Sequence, residues 1–288
     1  MAGTPEKDAI TGQHTTGHEW DGIRELNTPL PKWWVYVFWA TVIFSIGYVF
    51  AYPAIPLTNS ATGGLLGYSS RAELETDLVA ARAEHADKLE AIKTSSLDEI
   101  VADTNLRNYA MAGGQVVFKE NCAPCHQSGG AGQFGYPTLA DDEWIWGGTL
   151  DEIYTTLQHG IRWDQDADTR LSEMPAFGAM EILSDSEIDA VTDYVVSLAS
   201  GNPEQGTEGA TLYEEQCAAC HGFEGEGQQV LGAPPLNNQL WLYSGDRDAV
   251  EAQIYEPKHG VMPAWGGRLD EEEIKQVTVY VHSLGGGQ

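Results

Sequence analysis

The strongest feature of the hydropathy pattern is a single uncharged, apolar stretch near the N-terminus. A polar leader, residues 1–32, gives way abruptly to twenty-five residues, from Trp33 to Leu57, that carry no charge. At about 1.5 Å per residue, a helix over Trp33–Tyr52 spans about 30 Å, which matches the hydrocarbon core of a bilayer. Aromatic residues crowd both of its ends, and Pro53 and Pro56 then stop the helix. The pattern predicts a transmembrane anchor over residues 33–57.

Two other interpretations fit this stretch less well. A cleaved signal peptide has a short basic leader, whereas this leader is long and acidic. A buried helix of a globular domain rarely runs for twenty residues without a charge. Lys7, Arg24 and Lys32 precede the stretch and only Arg71 lies in the twenty residues after it, which weakly favours an N-terminus on the cytoplasmic side.

Residues 58–108 are predicted to form a helical spacer. Ser69–Thr94 is rich in Ala, Glu, Leu and Lys, and apolar or aromatic positions recur there every three or four residues. These positions are Leu74, Leu78, Ala81, His85, Leu89 and Ile92. The pattern predicts an amphipathic helix that acts as a spacer or packs against a partner subunit, and it carries no chemistry.

The rest of the chain repeats itself, which predicts two domains, 109–200 and 201–288. A glycine, an aromatic residue and a Cys-x-x-Cys-His pentad recur at a constant offset of 95 residues: Gly114, Phe118 and Cys122–His126, then Gly209, Tyr213 and Cys217–His221. Each copy later carries a His-Gly pair and a Met-Pro-Ala-aromatic motif. Each therefore consists of a helix, the pentad, a long loop and a closing helix.

The closing helices are predicted from apolar stripes at helical spacing. The stripes are Leu183, Ile188, Val191, Tyr194 and Leu198 in the first copy, and Leu269, Ile274, Val277, Tyr280 and Leu284 in the second. Ser184 and Asp270 stand where an N-cap is expected, each with an acidic residue three positions later.

Composition narrows the class of protein. The 288 residues suggest about two domains and additional chain. Forty-three acidic against fifteen basic residues give a net charge of −28, which argues against nucleic-acid binding. Apolar residues make up 42%, too many for a disordered acidic tail. A mean hydropathy of −0.29 excludes a protein with many membrane spans.

All four cysteines lie in the two pentads, Cys122, Cys125 and His126, and Cys217, Cys220 and His221. Cysteines three positions apart share one side of a helical turn, so both thiols can add to the vinyl groups of one porphyrin, and the next histidine faces its iron. This spacing is the attachment signature of c-type haem. A zinc site does not account for two separate pentads that each have their own Met-Pro motif. A thioredoxin-like pair would need a βαβ context, which neither copy has.

Each haem iron needs a second axial ligand or an open position, and methionine is typical of electron carriers. Met174 and Met262 share the repeated Met-Pro-Ala-aromatic motif, and proline can hold the loop that presents the sulfur. Met180 is a competitor without a counterpart in the second copy, and all of these methionines could instead fill the core. From the residues alone, each methionine could serve the haem of its own copy or that of the other.

Several further residues have weaker signals. Arg162 and Arg268 are candidates to bind a haem propionate, or else are exposed. His159 and His259 are expected to be structural rather than iron ligands, since the pentad histidine and the methionine already occupy both axial positions. Aromatic residues in matching loops either contact the porphyrin or fill the core: Trp144, Trp146, Trp241 and Tyr243.

The leader carries the most specific resemblance. Residues 18–34 read His-Glu-Trp-Asp-Gly-Ile-Arg-Glu-Leu-Asn-Thr-Pro-Leu-Pro-Lys-Trp-Trp and are followed by one span, a spacer and two pentads. This order of parts resembles the dihaem subunit III, the CcoP/FixP type, of cbb3-type cytochrome c oxidase over essentially all 288 residues. The resemblance implies an all-α fold with one N-terminal transmembrane helix and two tandem class I cytochrome c domains. It also implies that axial ligands come from opposite copies, His126 with Met262 and His221 with Met174.

The same resemblance implies a function for the chain. Two covalent haem c groups would take electrons from a cytochrome c donor and pass them to the monohaem subunit and the catalytic haem-copper subunit, where oxygen is reduced. The chain would not be an enzyme on its own, and its haem domains would lie in the periplasm, anchored by a single pass in a bacterial inner membrane. A dihaem peroxidase with an open iron, and a tethered shuttle without an oxidase, are the alternatives.

Overall fold

The structure is a computed structural model that describes residues 5–285. The chain forms two compact units, Met1–Ala83 and Glu84–Gln288. Its main elements, in chain order, are β1 (Thr15–Trp20), β2 (Ile23–Leu26), α1 (Lys32–Ala51), α2 (Ser70–Thr94), α3 (Leu97–Ala102), α4 (Thr104–Asn121), α5 (Ala123–His126), α6 (Leu150–His159), α7 (Asp185–Ala199), α8 (Glu208–Gln216), α9 (Ala218–His221), α10 (Arg247–Tyr255) and α11 (Glu271–His282). The predicted helical fold class is confirmed.

The sequence analysis missed a β-hairpin in the leader, and it described as long loops two stretches that contain the helices α6 and α10. Strands β1 and β2 are antiparallel, and Trp20 pairs with Ile23. The turn between them is Asp21-Gly22, and both residues have positive φ, 48° and 83°. This turn matches the twist of paired strands, and Asp-Gly is one of its preferred sequences. The hairpin adds two short strands to an otherwise helical chain.

The predicted apolar helix is confirmed as α1. It has 20 residues, begins after Pro31 and ends before Pro53. None of its residues is buried, and within residues 5–285 it is the one helix long and apolar enough to cross a membrane. Pro53 removes a backbone donor and fixes φ, which is why the helix stops here.

The predicted spacer helix also forms, as α2. Leu74 and Leu78 on its apolar stripe are exposed, whereas Ile92 near its end is fully buried. In the second unit, Ile92 packs with Leu97 and Ile100 in a small cluster next to α4 and α11. Among the described residues, the part of the stripe that is buried is therefore its C-terminal end.

The second unit contains two hydrophobic cores that exchange their closing helices. The first core joins α4, α6 and α11, and its buried residues are Val117, Phe118, Cys122, Ile153, Leu157, Ile274, Val277 and Val281. The second core joins α8, α10 and α7, with Phe177, Leu183, Ile188, Val191, Tyr194, Val195, Leu198, Tyr213, Ala218, Val250 and Ile254. The N-terminal helix of each copy thus packs against the closing helix of the other copy.

The repeated glycines lie where these helices cross. A Cβ on Gly114 would overlap the backbone carbonyl of Gln276 in α11, and one on Gly209 would overlap the carbonyl of Ala190 in α7. One turn further along, Phe118 lies 5.4 Å from the ring of Tyr280, and Tyr213 lies 5.2 Å from the ring of Tyr194. The Gly-x-x-x-aromatic motif therefore encodes a close helix crossing and the aromatic pair beside it.

The predicted N-caps are confirmed. Ser184 and Glu187 form a capping box at α7, and Asp270 and Glu273 form one at α11. The division into domains 109–200 and 201–288 stays a prediction, but α7 and α8, which lie on opposite sides of that boundary, close the same core.

Candidate functional site

Each pentad begins where the first helix of its copy ends. Cys122 caps α5, and its carbonyl accepts hydrogen bonds from the amides of Cys125 (3.1 Å) and His126 (2.9 Å). Cys217 does the same for Cys220 and His221, again at 3.1 and 2.9 Å. A single helical turn therefore sets the two cysteines of each pentad one turn apart, as the spacing predicted. The first cysteine of each pentad packs at its core, and the second is exposed.

The pentad histidines are fixed in one tautomer. His126 Nδ1 lies 3.0 Å from the carbonyl oxygen of Pro137, and His221 Nδ1 lies 2.9 Å from that of Pro234. A carbonyl can only accept, so Nδ1 carries the proton and Nε2 keeps its lone pair for a metal. Burial lowers the pKa of both histidines, which favours the neutral imidazole that ligates iron.

The buried thiols remain protonated at neutral pH. Burial raises the pKa of Cys122 and of Cys217 to about 11. Reactive redox cysteines have the opposite shift, since their environment stabilises the thiolate. Covalent haem c requires two cysteines that can form thioethers with its vinyl groups and an imidazole that can ligate its iron, so the residues of both pentads fit this group.

The two repeated methionines pack against cores that hold the other copy's pentad. Met262 contacts the first core, which contains Cys122, and Met174 contacts the second core, which Cys217 also contacts. Met262 is further held by two backbone hydrogen bonds with Ile161, of 2.9 and 3.0 Å. Met180, the competitor, is 65% exposed. The packing thus joins the pentad and methionine of opposite copies, the combination that the resemblance implies.

The aromatic residues of the matching loops also divide between the cores. Trp144 packs against the first core and Trp241 against the second, while Trp146 is buried. Tyr243 donates a hydrogen bond to the carbonyl of Lys258 (3.2 Å). Trp144 and Trp241 thus contact a core, and contact of any of the four residues with a porphyrin stays a prediction.

Three arginines lie in the loops, of which sequence reasoning missed one. Arg162 is half-buried and donates to two backbone carbonyls, whereas Arg268 is exposed and lies 5.6 Å from the ring of Trp163. The one missed was Arg170, which has no counterpart motif in the second copy to mark it. Its guanidinium lies 5.5 Å from the ring of Trp146, and its buried Nε has no hydrogen-bond partner among the described residues. A carboxylate such as a haem propionate would satisfy that donor.

His159 and His259, the histidines of the two His-Gly pairs, differ in their surroundings. His159 Nδ1 lies 3.2 Å from a carboxylate oxygen of Asp166, and Asp168 is close to both. His259 is exposed. The structural role expected of both residues stays a prediction, and the contact with Asp166 is consistent with it for His159.

Models of three protein families match consecutive parts of the chain. Residues 12–59 match the N-terminal domain of cytochrome oxidase-cbb3, FixP. Residues 111–199 match cytochrome c, and residues 204–281 match cytochrome C oxidase, cbb3-type, subunit III. The leader and the span, which carried the resemblance in the sequence, are thus matched as a domain of their own.

Curated proteins match over the full length. The cbb3-type cytochrome c oxidase subunit FixP of Sinorhizobium medicae is 50% identical over 283 residues, 98% of this chain and 97% of that protein. Subunit CcoP of an Azospirillum species is 50% identical, with 98% of each chain covered, and CcoP of Cereibacter sphaeroides is 44% identical over the whole of both. Two covalently bound haem c groups follow from the two cytochrome c domains. The chain belongs to the FixP/CcoP family, subunit III of cbb3-type cytochrome c oxidases.

Proposed function

We propose that this chain is an electron relay. It accepts electrons from a cytochrome c and passes them by way of two haem c groups to the monohaem and catalytic subunits of a cbb3-type oxidase, which reduces oxygen to water. The chain itself transforms no substrate. When bound, haem c supplies one-electron redox chemistry at its iron. The residues of the chain attach the haem, ligate the iron and exclude other ligands from it.

The observation that carries this proposal is the combination, in each core, of an oriented histidine with a methionine. Met262 packs against the first core, which contains Cys122 from the pentad of His126, and Met174 packs against the second core, which Cys217 from the pentad of His221 also contacts. The hydrogen bonds from Nδ1 to the carbonyls of Pro137 and Pro234 leave Nε2 available to ligate a haem iron. An iron held by a histidine and a methionine would have no free position for peroxide or another substrate, which favours electron transfer over a peroxidase reaction.

Variants with one pentad test the pairing directly. In a C217S/C220S chain only the first haem is covalently attached, and Met262→Ala should abolish the far-red charge-transfer absorption that methionine gives to ferric haem. Met174→Ala in the same background should leave that absorption intact. The C122S/C125S chain supplies the reciprocal pair of measurements. The pairing is wrong if each methionine acts in the background of its own copy.

Carbon monoxide separates the relay from a peroxidase. The reduced wild-type chain should bind little carbon monoxide, because both irons have two protein ligands. Met174→Ala and Met262→Ala should each open one site per chain. Stoichiometric binding to the wild type, with one five-coordinate haem, would instead favour the enzyme.

The family and the net charge support the proposed oxidase subunits and cytochrome donor as partners. Mild detergent extraction should yield a stable complex that contains b-type haem and copper besides this chain, whereas a complex without them would favour a tethered shuttle. A net charge of −28 should attract a basic cytochrome donor over long distances. The second-order rate of reduction by such a donor should therefore fall steeply as ionic strength rises.

We further propose that the leader lies in the cytoplasm and the haem domains in the periplasm of a bacterial inner membrane. The positive charges on the N-terminal side of α1 support this orientation. Alkaline phosphatase, which is active only outside the cytoplasm, provides the test. A fusion after residue 285 should be active, and a fusion within the leader should be inactive.

A further inference from the structure

Arg162 lies where the backbone of the first copy is hydrogen-bonded to the Met262 segment of the second copy. It follows α6 and Gly160, and its amide donates to the carbonyl of Arg170 (2.9 Å). The residue before it, Ile161, forms the two backbone hydrogen bonds with Met262. Arg162 itself has a φ of 50°, which is uncommon for a residue with a side chain. The segment therefore holds a strained conformation at the point where the loops of both copies meet.

The side chain of Arg162 bonds to both methionine segments at once. Its Nε donates to the carbonyl of Gly260 at 2.8 Å, and its Nη1 donates to the carbonyl of Ser172 at 2.6 Å. Gly260 lies two residues before Met262, and Ser172 lies two residues before Met174. One guanidinium thus connects equivalent positions of the two loops.

The chemistry of arginine suits this arrangement. The guanidinium is planar, always charged and presents several donors in a rigid fork, so a single side chain can hold two carbonyls in a fixed relation. Arg162 is half-buried, and hydrogen bonds from a charged donor are stronger than neutral ones. Both methionine segments are therefore restrained by the same group.

The neighbouring arginines do not duplicate these contacts. Within residues 5–285, the side-chain hydrogen bond of Arg170 goes to the carbonyl of Glu152 in α6, and Arg268 stacks near Trp163 and Trp265. Neither bonds to the segments 172–174 or 260–262. From the sequence, Arg162 was predicted either to bind a haem propionate or to be exposed.

We propose that Arg162 is a shared positioning residue, which holds the loops of Met174 and Met262 so that loss of its side chain loosens both methionines together. This inference rests on the proposed methionine ligation. It makes the strength of the two axial bonds interdependent, although the haems belong to different cores.

Competition by imidazole measures this effect, since imidazole binds ferric haem only when methionine leaves. In the purified full-length chain with both haems, Arg162→Gln should raise the apparent affinity for imidazole about tenfold at each haem, which corresponds to a loss of about 1.4 kcal/mol of methionine binding. The far-red methionine absorption of both haems should weaken in parallel.

Arg247→Gln is the matched control. Arg247 has an equally complete set of contacts, to Asp189, Asp193 and Glu251, but none of them lies in a methionine loop. Its variant should retain the wild-type imidazole affinity. An Arg162→Gln chain with unchanged affinity at both haems, or with a change at only one, would overturn the shared role.

The far-red absorption of the wild type distinguishes failure of methionine ligation from failure of the role of Arg162. If the wild type lacks the far-red absorption, methionine ligation fails and with it the proposed function; if the absorption is present but insensitive to residue 162, only the positioning role fails. Should Arg162→Gln not accumulate with two haems, Arg162→Lys gives the same test. Lysine keeps the charge but not the fork, so imidazole affinity should rise by less than in the glutamine variant, and an unchanged affinity would again contradict the inference.

Discussion

The two cores of the second unit are built on one pattern but are enclosed differently. In the first core, α11 is covered by apolar residues on two sides, since Val277 faces the core and Val279 faces the cluster around Ile92 and Ile100. In the second core, α7 has apolar contacts with α8 and α10, and its outer side carries an ion-pair network around Arg247. The same Gly-x-x-x-aromatic crossing is thus formed with a closing helix whose other side is covered by apolar residues in one core and joined by ion pairs to a third helix in the other.

Removal of a core aromatic residue should have the largest effect on the stability of the two cores. Phe118→Ala and Tyr213→Ala each delete a ring that is at most 2% exposed, and we expect each to cost about 3–5 kcal/mol of unfolding free energy. Phe118→Ala should weaken the first core and Tyr213→Ala the second. Urea unfolding followed at the absorption of each haem, in chains with one pentad, checks this. Equal loss at both haems in either variant would contradict two separable cores.

A methyl group at either helix crossing should have the next largest effect. Gly114→Ala and Gly209→Ala would force the helices apart, because the new Cβ overlaps a backbone carbonyl that has little room to move. We expect about 1–3 kcal/mol of destabilisation from each. Gly113→Ala is a neighbouring control, since its Cβ would meet the flexible end of the Gln276 side chain instead. A larger loss in the control than in Gly114→Ala would refute the crossing as its cause.

The aromatic pairs of the two cores differ by one hydroxyl, since Tyr213 of the second core corresponds to Phe118 of the first. Removal of this hydroxyl should have a smaller effect on stability. Tyr213 donates to the carbonyl of Gly222 at 2.8 Å, and burial raises the pKa of its phenol, so the donor stays protonated. Tyr213→Phe makes the second core resemble the first, in which this residue is Phe118. We expect a loss of about 1 kcal/mol, measured by urea unfolding of the second core. A gain in stability would mean that the hydroxyl is not needed there.

The smallest effect is expected for the charged network. Arg247 bonds to Asp189 and Asp193 of α7 at 2.9 and 2.7 Å; both carboxylates are exposed and the arginine is half-buried. Arg247→Gln should lower the melting temperature of the second core slightly at low salt. The difference from wild type should disappear near 1 M salt, where the Debye length is about 3 Å. A difference that persists at high salt would point to packing rather than charge.

Local features of this fold were predictable because short stretches of sequence encode them. The apolar span, the capping residues Ser184 and Asp270, and the pentads each depend on neighbours within a few positions. The hairpin also had such a signal in Asp21-Gly22, but the polar composition of the leader obscured it. These features need no knowledge of the rest of the chain.

The exchange of closing helices could not be predicted in this way, because the residue pattern does not specify which closing helix packs against which N-terminal helix. The stripes that contain Val191 and Val277 have the same spacing and similar residues, so either could cover Phe118 by pattern. Tertiary packing decides between them. Arg170 and the paired contacts of Arg162 were likewise hidden, since bonds to backbone carbonyls leave no mark on the residues that accept them.

The exchanged helices impose an order on how the protein matures. When synthesis has just passed the pentad at Cys122, the helix that must cover its core lies about 150 residues further along and does not yet exist. In the second core the order is reversed, because the closing helix α7 precedes Cys217 in the chain and is synthesised before it. The core of the first pentad therefore stays open until α11 has been made. A chain that stops short of α11 would leave the first haem without that helix, whereas α7 would still be present to cover the second.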